Sequence, residues 1–320
     1  AKKINEFNTS LIGMCQYYIT KNDTLVRNKE ISLETEFTVN EDLTFKEVEL
    51  EIEKSTINGS GTIQSLSKNP IANLKFNTQS LTLTQLLPWD SANSFDQNLY
   101  KSTGTIDAKG FVKGPFDNLD GKITFKLSNG TLTQRDYDVT LEDINTSGTV
   151  QFGKKQELAI PAFKASLNEK PLALTLNLTD YKNPYINLTA NGNLNLDKVG
   201  KLANIKQKLE GTAQVDVNYK GLVSELKSGK NSDKWEGEGT IVLADAGVFN
   251  KDESKILSNM NGKFNVKSNR LSIQNLKGIL TNSPFQFSGD IFAIATYLFT
   301  ESTDLAVNGN LTERHINYEK

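Results

Sequence analysis

Side chains that commonly act as nucleophiles, general bases or metal ligands are scarce in this chain, which has one histidine, His315, and one cysteine, Cys15. A zinc site needs several ligands held together, and a general base needs a partner that orients it. His315 has no second histidine to pair with. Cys15 stands in the mostly apolar stretch IGMCQYY, which favours a buried structural thiol over an activated nucleophile. A single cysteine also excludes an internal disulfide.

Acidic residues are common, but their spacing is that of a solvated strand face. In VELEIEKS, Glu49, Glu51 and Glu53 alternate with apolar residues, which does not indicate a catalytic pair of carboxylates. No nucleophile elbow, HExxH, GxGxxG or P-loop pattern occurs. Trp89 and Trp235 are isolated in the sequence and are expected to pack at sheet ends rather than stack on sugars. We therefore predict a protein that is not an enzyme and that uses no metal or cofactor.

Charge and hydropathy bear on two possible partners, nucleic acid and a membrane. The 320 residues carry 36 Lys and Arg against 38 Asp and Glu, without a long run of one sign, so nucleic acid is not an expected partner. The best apolar runs, residues 10–19 and 291–299, have about half the length that a helix needs to span a bilayer. The chain begins AKKINEF, without methionine or signal peptide. We expect a transmembrane helix or another export signal upstream of Ala1.

Alternation of apolar and polar residues dominates the chain and predicts strands of about 6–10 residues. LALTLNL, for example, places Leu172, Leu174 and Leu176 on one face. Helical spacing is strong only in LDKVGKLANIKQKL, residues 196–209, with Asp197 as the expected N-cap. LTLTQLLPW predicts a shorter helical turn that ends near Pro88.

Blocks of sequence recur in the same order, which indicates internal duplication. SKNPIANLKFNTQSLTLTQLL aligns with YKNPYINLTANGNLNLDKVGKL, and GTIDAKGFVKGPFDNL aligns with GTAQVDVNYKGLVSEL. The second alignment places Gly104 on Gly211 and Gly114 on Gly221. Within one elongated domain, 1–320, we predict repeat units at about 28–134 and 137–250 and a partial unit at 255–320.

The predicted strands leave a large apolar face to cover. About eighteen strands at about 4.8 Å spacing would form a sheet roughly 85 Å wide, and open sheets of that width twist, curl or fold over. With so little helix available, the face must close on itself or curl into a trough. A closed sandwich is the simpler solution, whereas a trough needs an apolar ligand or partner.

Several of the repeated blocks resemble the AsmA-like family of bacterial envelope proteins. The similarity lies in GTIDAKGFVKGPFDNLDGKITFKLSNGTLT, in GTAQVDVNYKGLVSELKS with WEGEGTIVLADAGVF, and in the preceding strands that run into LTLTQLLPW and LNLDKVGKL. It spans roughly residues 31–311. The resemblance implies an elongated β-sheet curled into an apolar groove and a single N-terminal membrane anchor. It also implies a periplasmic role in outer-membrane assembly or phospholipid transfer.

The sequence thus predicts a mainly β fold, a strongly curled repeat sheet with one or two short helices, which forms an apolar groove or closes partly on itself. The expected ligand is a phospholipid or another acyl lipid, and the expected location is the periplasm. The residues expected to line the groove are Leu172, Leu174, Leu176, Ile186, Leu188, Phe285, Phe287 and Ile291. The main alternative is a closed β-sandwich repeat protein for adhesion or polymer binding at the cell surface.

Overall fold

The computed structural model describes residues 6–19, 24–52, 54–66, 68–82, 100–202, 207–228, 236–250, 254–292 and 306–313. For residues 6–31, 202, 226–228 and 313 it describes the backbone alone. These residues form strands almost throughout, with two short helices, so the mainly β fold class predicted from the alternation is confirmed. The chain divides into two compact units, residues 1–136 with 140–160 and residues 137–139 with 161–320.

In the first unit, successive strands from β1 to β7 pair antiparallel. The strands are β1 (Glu6–Ile19), β2 (Thr24–Val39), β3 (Leu43–Ile52), β4 (Ser55–Gln64), β5 (Ile71–Thr82), β6 (Tyr100–Pro115) and β7 (Asp120–Gln134). The next two strands, β8 (Val139–Phe152) and β9 (Glu157–Leu167), each contain a point where the chain passes between units.

In the second unit, successive strands from β10 to β17 also pair antiparallel. The strands are β10 (Lys170–Thr179), β11 (Tyr185–Asn195), β12 (Leu209–Leu222), β13 (Glu236–Phe249), β14 (Lys255–Lys267), β15 (Arg270–Leu280), β16 (Ser283–Phe292) and β17 (Ala306–Glu313). Helix α1 (Leu196–Leu202) follows β11, and helix α2 (Val223–Ser228) follows β12.

Helix α1 corrects two sequence predictions. The helix ends at Leu202, and Leu209 already belongs to β12, so it is shorter than the predicted 196–209. Its N-cap is Asn195, whose Oδ1 accepts hydrogen bonds from the backbone N–H of Asp197 at 3.0 Å and of Lys198 at 3.4 Å. Asp197 lies in the first turn and pairs with Lys201 at 3.0 Å. The turn predicted near Pro88 lies outside the described residues.

The first unit contains a β-bulge at Gly104, where the pairing of β6 with β7 shifts register between Thr103 and Thr105. Gly104 has φ +109, and a Cβ there would lie 2.6 Å from the Cα of Gly130. Beside it, Asn129 has φ 51 and donates its backbone N–H to Asn145 Oδ1 at 3.2 Å. Glycine is needed here because the bulge combines a left-handed backbone with a close approach of the neighbouring strand.

The second unit repeats this bulge at Gly211, between Glu210 and Thr212. Gly211 has φ +92, and a Cβ there would lie 2.6 Å from the Cα of Ala246. Asp245 has φ 50 and donates its backbone N–H to Asn261 Oδ1 at 3.1 Å. The local match agrees with the sequence alignment of Gly104 and Gly211 and supports a repeated β architecture.

A second match supports the alignment of Gly114 with Gly221. Gly114 pairs with Ala72, and Gly221 pairs with Ile186. Close to these pairs, the carbonyl oxygen of Pro70 accepts a hydrogen bond from Phe116 N at 3.3 Å. The carbonyl oxygen of Pro184 accepts one from Val223 N at 2.8 Å. The same strand pair is therefore built in both units, with a tight turn after it in the first and helix α2 after it in the second.

Candidate functional site: an apolar sheet face

All eight residues predicted to line a groove lie on one face of the sheet in the second unit. Side chains two residues apart in a strand share a face, and residues directly opposite in an antiparallel pair share it as well. The pairings therefore connect Leu174 on β10 to Ile291 on β16 through five intervening strands. The complete row, continued to β17, is Leu174, Ala190, Val217, Gly239, Val266, Leu271, Ile291 and Val307.

Residue type separates the two faces of this sheet. Leu172, Leu174, Leu176, Ile186 and Leu188 are all half-buried. The adjacent row on the opposite face is almost entirely polar, and its members are exposed or half-buried. It consists of Ala173, Asn191, Asp216, Thr240, Asn265, Ser272, Asp290 and Asn308. The sheet thus has one polar face and one apolar face that still contacts solvent.

Phe285 differs from the other predicted lining residues because it is only 9% exposed. It belongs to a buried cluster with Ala246 and Met260. Partly buried side chains pack against this cluster, and they include Leu196 from helix α1 and Phe287 from β16. Phe285 therefore stabilises the sheet and offers little surface, whereas Phe287 and Ile291 remain half-buried.

Aromatic side chains cover glycine positions on the apolar face. A Cβ added at Gly309 would lie 2.7 Å from the Phe287 ring, and one added at Gly278 would lie 2.9 Å from the Phe285 ring. In the first unit, a Cβ at Gly121 would overlap the Phe152 ring. Each ring occupies the space that a side chain would fill, so glycine and a large neighbour together give a closely packed apolar surface.

Tyr219 places a polar group on this apolar face, directly opposite Leu188. Burial raises the pKa of Tyr219 to about 12, and the nearby Glu225 and Tyr185 contribute to the rise because they disfavour a phenolate. The phenol is therefore neutral at physiological pH. It adds aromatic area to the face and no charge.

The apolar face remains open at β17. Val307 is 58% exposed and Leu311 is 55% exposed, although their partners across the strand pair, Ile291 and Phe287, are half-buried. A closed sandwich would bury the inner side chains of both its sheets. The described part of the second unit instead carries a row of apolar residues, each of which is partly accessible to solvent.

The first unit has an apolar face of the same kind. One of its rows alternates large side chains with glycine across β3 to β7 and consists of Val48, Gly59, Phe76, Gly110 and Ile123. The large members are half-buried, while the flanking Lys75 and Lys109 are exposed. Glu49 and Glu51 lie on the polar face of β3, where the alternation in VELEIEKS places them.

Most of the other residues considered for catalysis or binding lie outside the described residues. His315, Glu53, Trp89 and Trp235 lie outside the described residues, and Cys15 is described only as a backbone position paired with Lys29. Within the described ranges, no group of three or more His, Cys, Asp or Glu side chains could hold a metal ion. No described helix is long and apolar enough to cross a membrane.

Sequence reasoning identified the strands of the face but missed the residues that join them into rows. Val217, Val266 and Leu271 belong to the row of Leu174, and each stands in an alternating stretch that signals a strand. The alternation gives the face of each residue within its own strand. It does not give the register between strands, which the bulges shift.

Comparison with protein-family models, with curated proteins and with solved structures finds no match to this chain.

Proposed function

We propose that this chain is a non-enzymatic envelope protein of the AsmA-like type, whose apolar sheet face binds or conducts lipid acyl chains. The observation that carries the proposal is the half-exposed row from Leu174 to Val307 in the second unit. Soluble proteins rarely keep a contiguous apolar surface of several hundred Å² without a ligand or partner.

Acyl chains suit this face because it offers area rather than directed polar contacts. Each CH₂ group that leaves water gains roughly 0.8 kcal/mol, so a chain lying across several strands gains free energy along its length. The polar reverse face keeps such a sheet hydrated while lipid occupies the other side. A role in the periplasm, with an inner-membrane anchor upstream of Ala1, is the setting in which this chemistry serves outer-membrane biogenesis.

The proposal is tested by placing carboxylates on the apolar face and measuring bound lipid. The purified parent protein should carry phospholipid that mass spectrometry of an extract detects. The double variant Leu174→Asp with Leu188→Asp should lose lipid by roughly tenfold or more, because each leucine contributes roughly 1.5–3 kcal/mol of apolar contact. Since both positions are half-buried, the variant should remain folded by circular dichroism.

The matched control is Thr175→Asp with Asn187→Asp, on the same two strands but at exposed positions of the opposite face. It adds the same charge and should keep the lipid occupancy of the parent. A lipid-free parent protein, together with unfolding of the Leu174 and Leu188 variant, would instead indicate a closed sandwich. Carboxylates buried without partners destabilise such a core strongly.

A further inference from the structure

The polar face of the first unit carries an acidic strip on β2 and β3. Glu34 lies directly opposite Glu49, and Glu36 lies directly opposite Glu47. Like charges opposite one another across an antiparallel pair destabilise a sheet. Among the described side chains of these two strands, Lys46 forms an ion pair with Glu36 at 2.5 Å. The strip consists of Glu34, Glu36, Glu47, Glu49 and Glu51.

The same face carries a basic strip on β5, β6 and β7. Lys75 and Lys122 both lie opposite Phe111, and Lys113 lies with its Nζ 5.5 Å from the centre of that ring. All the lysines of the strip are exposed, and the described side chains give none of them an ion-pair partner. The strip consists of Lys75, Lys109, Lys113, Lys122 and Lys126.

Two carboxylates moderate the basic strip without neutralising it. Asp107 lies opposite Lys126, and Asp120 lies opposite Lys113. Asp107 Oδ1 also accepts a hydrogen bond from Ser80 N at 3.0 Å, at the point where the register of β5 and β6 shifts. The remaining lysines of the strip lie opposite neutral residues and keep a net positive strip.

A neutral strand separates the two strips. Thr56, Asn58, Ser60 and Thr62 face the polar side of β4 between them. One row therefore begins with Glu34 and Glu49, crosses Asn58, and reaches Lys109. Opposite charges thus lie apart on one sheet face. Repulsion between the like charges within each strip destabilises the sheet.

We propose that this polar face binds a second copy of the chain about a two-fold axis that passes near β4. A two-fold axis there places the acidic strip of each copy against the basic strip of the other. The contact is isologous, because the same surface of both copies forms it. The self-repulsion within each strip is then offset by attraction across the interface.

The size of the patch suits a reversible dimer. Six strands at about 4.8 Å spacing and four rows of same-face residues at about 6.7 Å spacing cover roughly 770 Å² per copy. Standard specific interfaces bury about 800 Å² per partner. A polar contact of this size, with exposed charges, should weaken strongly with salt because the Debye length falls to a few ångströms.

The experiment measures the dimer dissociation constant of the full chain by sedimentation velocity. The parent should dimerise at about 50 mM salt, and its dissociation constant should rise by about tenfold or more at about 500 mM. The basic-strip variant (Lys75→Glu, Lys109→Glu and Lys122→Glu) should be monomeric at low salt. The acidic-strip variant (Glu34→Lys, Glu47→Lys and Glu49→Lys) should be monomeric as well.

Mixing the two triple variants supplies the decisive result. The acidic-strip variant then carries two strips of net positive charge, and the basic-strip variant carries two strips of net negative charge. The mixture should therefore form a heterodimer although neither variant self-associates. The matched control is Lys164→Glu, Lys182→Glu and Lys277→Glu in the second unit, which changes net charge equally at exposed positions and should dimerise like the parent.

Three outcomes would overturn the proposal. These are a parent that stays monomeric at low salt, a dimer that tolerates either strip reversal, or a mixture of the two variants that stays monomeric. A monomeric parent that binds phosphatidylglycerol vesicles through the basic strip would assign the strip to lipid headgroups instead. If a triple reversal misfolds, Lys75→Gln with Lys109→Gln and Lys122→Gln replaces it, because loss of self-repulsion should not unfold the sheet.

Discussion

At the scale of single residues, the polar face of the second unit holds a well-formed charged cluster around Asp290. Arg270 donates from Nε to Asp290 Oδ1 at 2.8 Å and from Nη2 to Oδ2 at 2.6 Å, and Ser272 Oγ donates to Oδ1 at 2.6 Å. The Arg270 guanidinium, helped by Ser272, lowers the pKa of Asp290 below its usual value. The guanidinium also lies 5.5 Å from the ring centre of Phe292. These bonds tie β15 to β16 on the side away from the apolar face.

The pH dependence of stability should report this cluster. Because the pKa of Asp290 is lower in the folded state, the ionised carboxylate stabilises the fold above the unfolded value of 3.8. That contribution is lost as the pH falls through the folded pKa. Asp290→Asn should therefore melt below the parent at neutral pH, and the difference should shrink below about pH 4.

The control for this titration is Asp216→Asn, an exposed carboxylate on the same face to which the described side chains give no ion pair. Its melting temperature should follow the parent throughout the range. A gap between the parent and Asp290→Asn that stays constant into acid would show that the Arg270 contact contributes nothing through charge.

At the scale of elements, helix α1 depends on its N-cap for stability. Helix α1 has seven residues, too few for its own hydrogen bonds to stabilise it in isolation. Asn195 satisfies two of its first N–H groups, and Leu196 packs against the cluster of Ala246, Met260 and Phe285. The helix thus depends on the end of β11 and on the sheet below it.

Removal of the cap should cost more than removal of the acidic residue that the sequence suggested as the cap. Asn195→Ala should lower the free energy of unfolding by about 1 kcal/mol. Asp197→Ala should cost only a few tenths, since it removes one surface pair with Lys201. Asn195→Asp should retain the stability of the parent, because aspartate caps equally well. Urea unfolding measures the series, and equal losses for Asn195→Ala and Asp197→Ala would contradict the assignment.

At the scale of the whole molecule, the chain repeats one construction in two units. In each unit, strands that follow one another in the sequence pair with one another. The bulge at Gly104 recurs at Gly211, and each has a residue with left-handed backbone beside it, Asn129 in the first unit and Asp245 in the second. Repeat proteins of this kind distribute stability over nearest-neighbour interfaces. Damage to one bulge should therefore stay within its own unit.

Hydrogen exchange tests this confinement. Gly104→Ala should destabilise by about 1–3 kcal/mol, because alanine is strained at positive φ and its Cβ meets the Cα of Gly130. Protection should fall in β5 to β7 and remain unchanged in β13 to β16. The control is Gly59→Ala, where the closest atom to an added Cβ is 3.4 Å away. Loss of protection in both units from Gly104→Ala alone would mean that they unfold as one cooperative body.

The sequence by itself determined the strands, their two-sided character and the repeated glycines, because period-two alternation and positive-φ positions are local properties of the chain. The alternation around Leu174 and Leu188 was sufficient to place those residues on an apolar face. The recurrence of Gly104 as Gly211 was sufficient to predict a repeated bend.

Only the tertiary structure decided how strands align. A bulge shifts register by a residue or more, so no alternation in β12 shows that Val217 lies beside Ala190. Phe285 is buried and Phe287 only half-buried because of how strands pack around them. Asn195 rather than Asp197 caps helix α1 because of the backbone geometry at the end of β11. The acidic and basic strips arise in the same way. Each glutamate and lysine was visible in the sequence, but their segregation depends on long-range pairing, which local patterns do not encode.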